Sequence, residues 1–120
     1  MYFDVTLAAE IWTAKYRFKD AAGNGDDSFA ATAARVARAL AATEAPESRD
    51  LWEHRFREAV ESFRFIPAGR VLAGAGTDRA VTLFNCFVMG TIPDTLDGIF
   101  EHLRQAALTM QQGGGVGMEF

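Results

Sequence analysis

The chain has 120 residues, 49% of them apolar and 23% charged, with a net charge of −4, which is one domain's worth of chain with an ordinary globular balance. Its acidic excess runs through both halves with no basic stripe, no apolar run reaches the roughly 18 residues of a membrane span, and Asp4 and Glu10 stand where a secretory leader would be basic. Nucleic acid and membrane are therefore excluded as expected partners, and the single cysteine, Cys86, excludes an intrachain disulfide and fits a cytoplasmic location.

Residues 5–18 read as a helix, with Leu7, Ala8, Ile11, Trp12 and Lys15 at helical spacing. Asp20 to Asp27 is a loop with a turn at Asn24-Gly25; it lacks the ligand pattern of a calcium loop. Asp27 or Ser28 can cap a second helix to about Thr43, whose stripe is Phe29, Ala33, Val36 and Leu40. Pro46 breaks it, and Ser48 is expected to cap a third helix over 49–63 with Trp52, Phe56, Val60 and Phe63 on one face. Two helices and a short loop predict an αα-hairpin.

The texture changes at Phe65-Ile66-Pro67-Ala68-Gly69. Val81 to Met89 is a near-continuous apolar run, which predicts a strand covered on both faces; a pairing with 68–72 as a small hairpin is the alternative to open edges. Asp94 is the expected N-cap of a last helix, with Leu96, Ile99, Phe100, Leu103, Ala107 and Met110 on its apolar face. The glycines from Gly113 end it. The expected fold is mainly α with a small β component, an α+β arrangement of helices, one or two strands and a final amphipathic helix. It divides into a helical region, 1–66, and a strand-helix segment, 67–120, within one compact domain.

Cys86 has two readings, a buried small hydrophobe or a reactive thiol. Asn85 is polar in an apolar run and needs a partner if buried. The run Gly113 to Gly117 reads either as a helix C-cap with a loose end or as a loop whose amides approach a ligand. It follows a helix and lacks the lysine of a phosphate-binding P-loop. His54 and His102 show no zinc spacing, so no metal site is expected.

The ordered set Pro67-Ala68-Gly69-Arg70-Val71-Leu72, Asn85-Cys86-Phe87-Val88, Asp94-Thr95-Leu96-Asp97-Gly98-Ile99 and Gln111-Gln112-Gly113-Gly114-Gly115-Val116-Gly117, with Trp12 to Arg17 ahead of it, resembles the N-terminal part of the ribonucleotide reductase catalytic chain. The closest resemblance is to the adenosylcobalamin-dependent, class II enzymes. It implies that Cys86 is one of the redox cysteines that reduce the ribose. It further implies that Asn85, Gly114 and Gly115 line the substrate pocket and that Asp94 belongs to a deoxynucleotide effector site. Nucleotides are then the implied ligands, in deoxyribonucleotide biosynthesis for DNA replication. A homodimer, or a partner chain carrying the rest of the barrel, is the expected assembly.

The family also needs further cysteines and a ten-stranded barrel. With one cysteine and at most two expected strands, the chain is expected to be a fragment or split piece, inactive alone, and to bind no cobalamin by itself. The alternative is a stand-alone nucleotide-binding or interaction module derived from a reductase.

Overall fold

Ser28 starts the helix around which the first unit is built. Its Oγ accepts from the Ala31 amide at 3.2 Å, satisfying one of the unpaired donors of the first turn. The computed structural model describes residues 6–120, and these fall into two compact units that meet in sequence between Asp78 and Arg79. Residues 67–78, expected to belong with the strand-helix segment, lie in the first unit.

In the first unit α1 (Thr6–Ile11) runs into a π-helical turn, Trp12–Tyr16, closed by the Arg17 amide donating to the Trp12 carbonyl at 2.9 Å. Residue 5, the expected start of this helix, lies outside the described residues. Helices α2 (Phe29–Ala41) and α3 (Arg49–Glu61) pack along each other as the expected hairpin, and a short α4 (Gly69–Gly74) closes the unit. The core joins Trp12, Phe29, Ala33, Val36, Val60, Leu72 and Ala75, all buried. Alanines at 33, 37 and 41 are small enough to let α2 approach its neighbours.

Two helix ends differ from the sequence expectation. Ser48 precedes α3 but makes no cap; its hydroxyl donates instead to the Ala45 carbonyl at 3.0 Å, inside a 3-10 turn led by Pro46. Helix α3 stops at Glu61, and Phe63 takes a left-handed φ of 57°. That conformation is costly for a bulky residue. It is offset by the Phe63 ring stacking on Phe29, with centroids 4.9 Å apart and planes 5° from parallel.

A buried ionic network, absent from the sequence reading, fastens this unit. Asp26 is only 4% exposed. Its carboxylate accepts from Arg35 Nη2 at 2.7 Å and Nε at 3.1 Å, from Thr32 Oγ1 at 2.7 Å and from the Phe18 amide at 3.2 Å. Arg35 also donates to the Leu72 carbonyl at 2.8 Å and to the Ala75 carbonyl, so it holds the last turn of α4. Trp12 Nε1 donates to Thr32 Oγ1 at 3.1 Å. Burial pushes the Asp26 carboxyl up, but the hydrogen bonds from Arg35, Thr32 and Phe18 outweigh it and hold its pKa below the ordinary value.

The second unit is a β-α-β element: β1 (Cys86–Thr91), α5 (Leu96–Gln111) and β2 (Gly115–Glu119). The strands are parallel, with Cys86 opposite Gly115, Phe87 opposite Val116 and Val88 opposite Gly117. A parallel pair needs a crossover, and α5 supplies it. An irregularity between Val88 and Thr91 shifts the register where Gly90 has φ 81°.

The run Val81–Met89 is therefore not a strand buried on both faces. Only its end, from Cys86, is strand, and it alternates: Phe87 and Met89 are half-buried while Cys86 and Val88 are exposed. Two strands with one helix cover one face only. Nor does the run pair with 68–72 in a hairpin, since Gly69–Gly74 is helical and the partner is β2. The N-cap of α5 is Thr95, whose Oγ1 accepts from the Gly98 amide at 3.1 Å; Asp94 stands one residue outside.

Helix α5 turns its small face to the sheet. Gly98, His102 and Thr109 are half-buried and Ala106 is 2% exposed. Its apolar stripe points away, leaving Phe100 60% and Leu103 59% exposed. His102 Nε2 lies 3.0 Å from the Met89 carbonyl, tying the helix to β1 at the irregular rung.

Candidate functional site

The register of two strands assembles the candidate site. Cys86 opens β1 and Gly115 opens β2, and the two are direct partners across the parallel ladder. The Gly115 amide donates to the Asn85 carbonyl at 2.8 Å. A Cβ at Gly115 would stand 3.2 Å from Cys86 Sγ and 3.4 Å from the Asn85 oxygen. The bare Cα of Gly115 thus lies flush beside the sulfur. Asn85 and Cys86 are both exposed, so the thiol is accessible and the buried-hydrophobe reading of Cys86 does not hold.

Gly114 is buried just before this rung. A Cβ there would come within 2.8 Å of the Phe87 ring and 2.9 Å of Thr109 Cγ2, so only glycine fits without a shift. From sequence, these glycines were expected to be flexible or to present bare amides. The amides of Gly113, Gly114 and Gly115 donate instead to Met110, Thr109 and Asn85 carbonyls, at 2.9, 3.0 and 2.8 Å. What the segment offers a ligand is a surface without side chains beside a thiol.

Cys86, Asn85, Gly114 and Gly115 are therefore brought together at one end of the sheet. Asp94 is not: it lies beyond the far end of β1, exposed in the connection to α5. Phe87 and Thr109, which wedge Gly114, were not singled out by sequence. The available signal was the strand-helix-strand order itself, since Val116 and Met118 alternate after a crossover helix.

Elsewhere the described residues offer little chemistry. They contain no group of three His, Cys, Asp or Glu placed to hold a metal, and no helix long and apolar enough to cross a membrane. A cavity of about 260 Å³ in the first unit is lined by apolar side chains, among them Trp12, Phe29, Phe63 and Leu72.

Comparison with known proteins gives these features a setting. The family described as "Ribonucleotide reductase, all-alpha domain" matches residues 2–80, the first unit almost entire. The vitamin B12-dependent ribonucleoside-diphosphate reductase of Mycobacterium tuberculosis is 34% identical over 116 residues, 94% of this chain and 16% of its own length. The Thermoplasma acidophilum protein of the same name is 39% identical over 67 residues, 56% of this chain and 8% of its own. The ribonucleoside-diphosphate reductase subunit alpha of Helicobacter pylori is 31% identical over 106 residues, 88% of this chain and 13% of its own. The chain thus spans only a small part of the length of these relatives.

Proposed function

Because the chain belongs to the ribonucleotide reductase family by its match to the all-alpha domain, we propose that it forms the N-terminal part of a vitamin B12-dependent reductase and supplies one side of its substrate site. The observation that carries this reading is the rung that sets an accessible Cys86 against the side-chain-free Gly115. The B12 dependence rests on the names of the Mycobacterium and Thermoplasma relatives.

Replacing the ribose 2′-hydroxyl by hydrogen takes two thiols: both sulfurs lose hydrogen, a disulfide forms and the oxygen leaves as water. Cys86 contributes one thiol, and the bare Gly115 beside it, held by the buried Gly114, lets a sugar come close. The other thiol has no source among these 120 residues. The chain by itself is then inactive, either as a segment of a longer polypeptide or as one piece of a split enzyme.

Adenosylcobalamin, when bound to a reductase of this type, starts the radical chemistry. These residues do not fit it. The one imidazole of the second unit, His102, already engages the Met89 carbonyl. The cofactor belongs to the remainder of the enzyme.

An incubation of the chain with ribonucleoside di- or triphosphate, adenosylcobalamin and dithiothreitol is expected to give no deoxynucleotide. Product above that of a Cys86→Ala control would overturn the inactive-alone reading. Deoxynucleotide binding that is lost in Asp94→Ala is expected of a reductase piece and of the alternative, a stand-alone nucleotide-binding or interaction module, alike. The two are separated by mixing with a partner chain that carries the rest of the barrel: restored turnover supports the reductase piece, and its absence favours the module.

A further inference from the structure

Adjacent residues of β1 divide two tasks. Cys86 faces solvent with its sulfur beside Gly115, and Phe87, turned to the other face, has its ring against Gly114. Thr109 closes on the same glycine from α5, both through Cγ2 and through its carbonyl, which accepts the Gly114 amide at 3.0 Å. Gly114 is thereby wedged between strand and helix, one residue before the rung that meets the sulfur. We propose that Phe87 and Thr109 are positioning residues, acting through Gly114 to hold Gly115 flush against Cys86 and so to set the open side by which a ligand reaches the thiol. This rests on the reading of Cys86 and the glycine segment as the substrate side of a reductase.

The wedge is a packing device with no spare room. Replacing Phe87 by the shorter leucine removes ring atoms that touch the glycine, and replacing Thr109 by serine removes the methyl. Either change leaves strand and helix propensity nearly intact but lets the Gly114–Gly115 segment move. Gly114→Ala does the opposite, forcing the segment away from Phe87 and Thr109. In Gly114→Ala/Phe87→Leu the added methyl meets a shortened partner, and the two changes compensate.

The test uses the whole chain and two local readouts. One is hydrogen exchange of the Gly115 amide against amides within α5. The other is the rate at which Cys86 reacts with iodoacetamide and with the bulkier dithiobisnitrobenzoate. In Phe87→Leu and Thr109→Ser, Gly115 exchange is expected to rise about tenfold, the order of one weakened local hydrogen bond, with mid-α5 exchange unchanged. The ratio of the two reagent rates shifts with it. Thr109→Val, which keeps the methyl, retains wild-type values, and Gly114→Ala/Phe87→Leu moves back towards wild type from Gly114→Ala.

A rise spread evenly over the unit would overturn the proposal, because Phe87 and Thr109 would then serve only stability. Unchanged exchange and reagent ratio in all single variants would overturn it as well. Failure of the reductase reading is a separate result: turnover by an assembled enzyme that survives Cys86→Ala, with the local readouts behaving as expected.

Discussion

The two units solve the burial problem differently. The first closes a core of Trp12, Phe29, Val36, Val60 and Leu72 around α2 and locks it with the Asp26–Arg35 pair. The second buries one apolar side chain, Ala106, and leaves Leu96, Phe100, Leu103 and Val88 between 59% and 93% exposed. The family's all-alpha part thus has a core of its own, whereas the thiol-bearing part is a two-stranded sheet of a kind that is marginal in water without further cover. The candidate site and the buried core of the chain thus reside in different places.

The largest expected effect lies in the first unit. Arg35→Ala leaves the Asp26 charge buried without its cation and frees the end of α4, with an expected loss of about 3–5 kcal/mol. Urea unfolding monitored by Trp12 and Trp52 fluorescence checks it. The counterpart in the second unit, Leu103→Lys, changes an exposed position and is expected to cost less than about 0.5 kcal/mol. A large loss there would show the stripe to be covered in solution, breaking the contrast.

Acid gives an independent approach to the same pair. Asp26 has a lowered folded pKa, so its contribution is present above the unfolded value of about 4 and is lost as pH falls through the lower folded value. Thermal melts between pH 7 and 2 are expected to lose stability in that acid window. Asp26→Asn is expected to flatten that part of the profile at a lower overall stability.

A smaller effect is expected at Gly69, where an added Cβ would lie 2.9 Å from the Tyr16 ring. Gly69→Ala forces that ring to move and is expected to cost about 1–2 kcal/mol. Gly69→Ala/Tyr16→Leu is expected to recover part of it, and additive losses would show that the two motifs do not touch through this contact.

That contact also explains part of what the sequence made legible. The helix at Trp12–Tyr16 and the Pro67-Ala68-Gly69-Arg70 run are far apart in sequence, yet Tyr16 packs on Gly69, so their joint presence has a steric basis. Helices α2 and α3 were readable because Phe29 and Val36 on one and Val60 on the other sit on apolar stripes at helical spacing, whereas α4 was not, being only six residues long just after Pro67. Asp26 was not, because a loop aspartate shows its burial only once Arg35, Thr32 and Phe18 converge on it. In the second unit the covered-strand reading failed because apolar content cannot say how many layers are present. β2 was missed because Gly115-Val116-Gly117 has little strand propensity of its own and becomes a strand through pairing with Cys86–Val88. The pair of Cys86 with Gly115 came from register, which depends on that missed strand.

The rung at Cys86 and Gly115 is proposed to be part of a reductase substrate site. The most direct measurement is a chimera in which these 120 residues replace the matching segment of the Mycobacterium tuberculosis reductase, assayed for deoxynucleotide formation with adenosylcobalamin. The expected result is turnover that Cys86→Ala abolishes with the chimera still folded. A folded, cobalamin-binding chimera that is inactive, or one whose turnover survives Cys86→Ala, would contradict it.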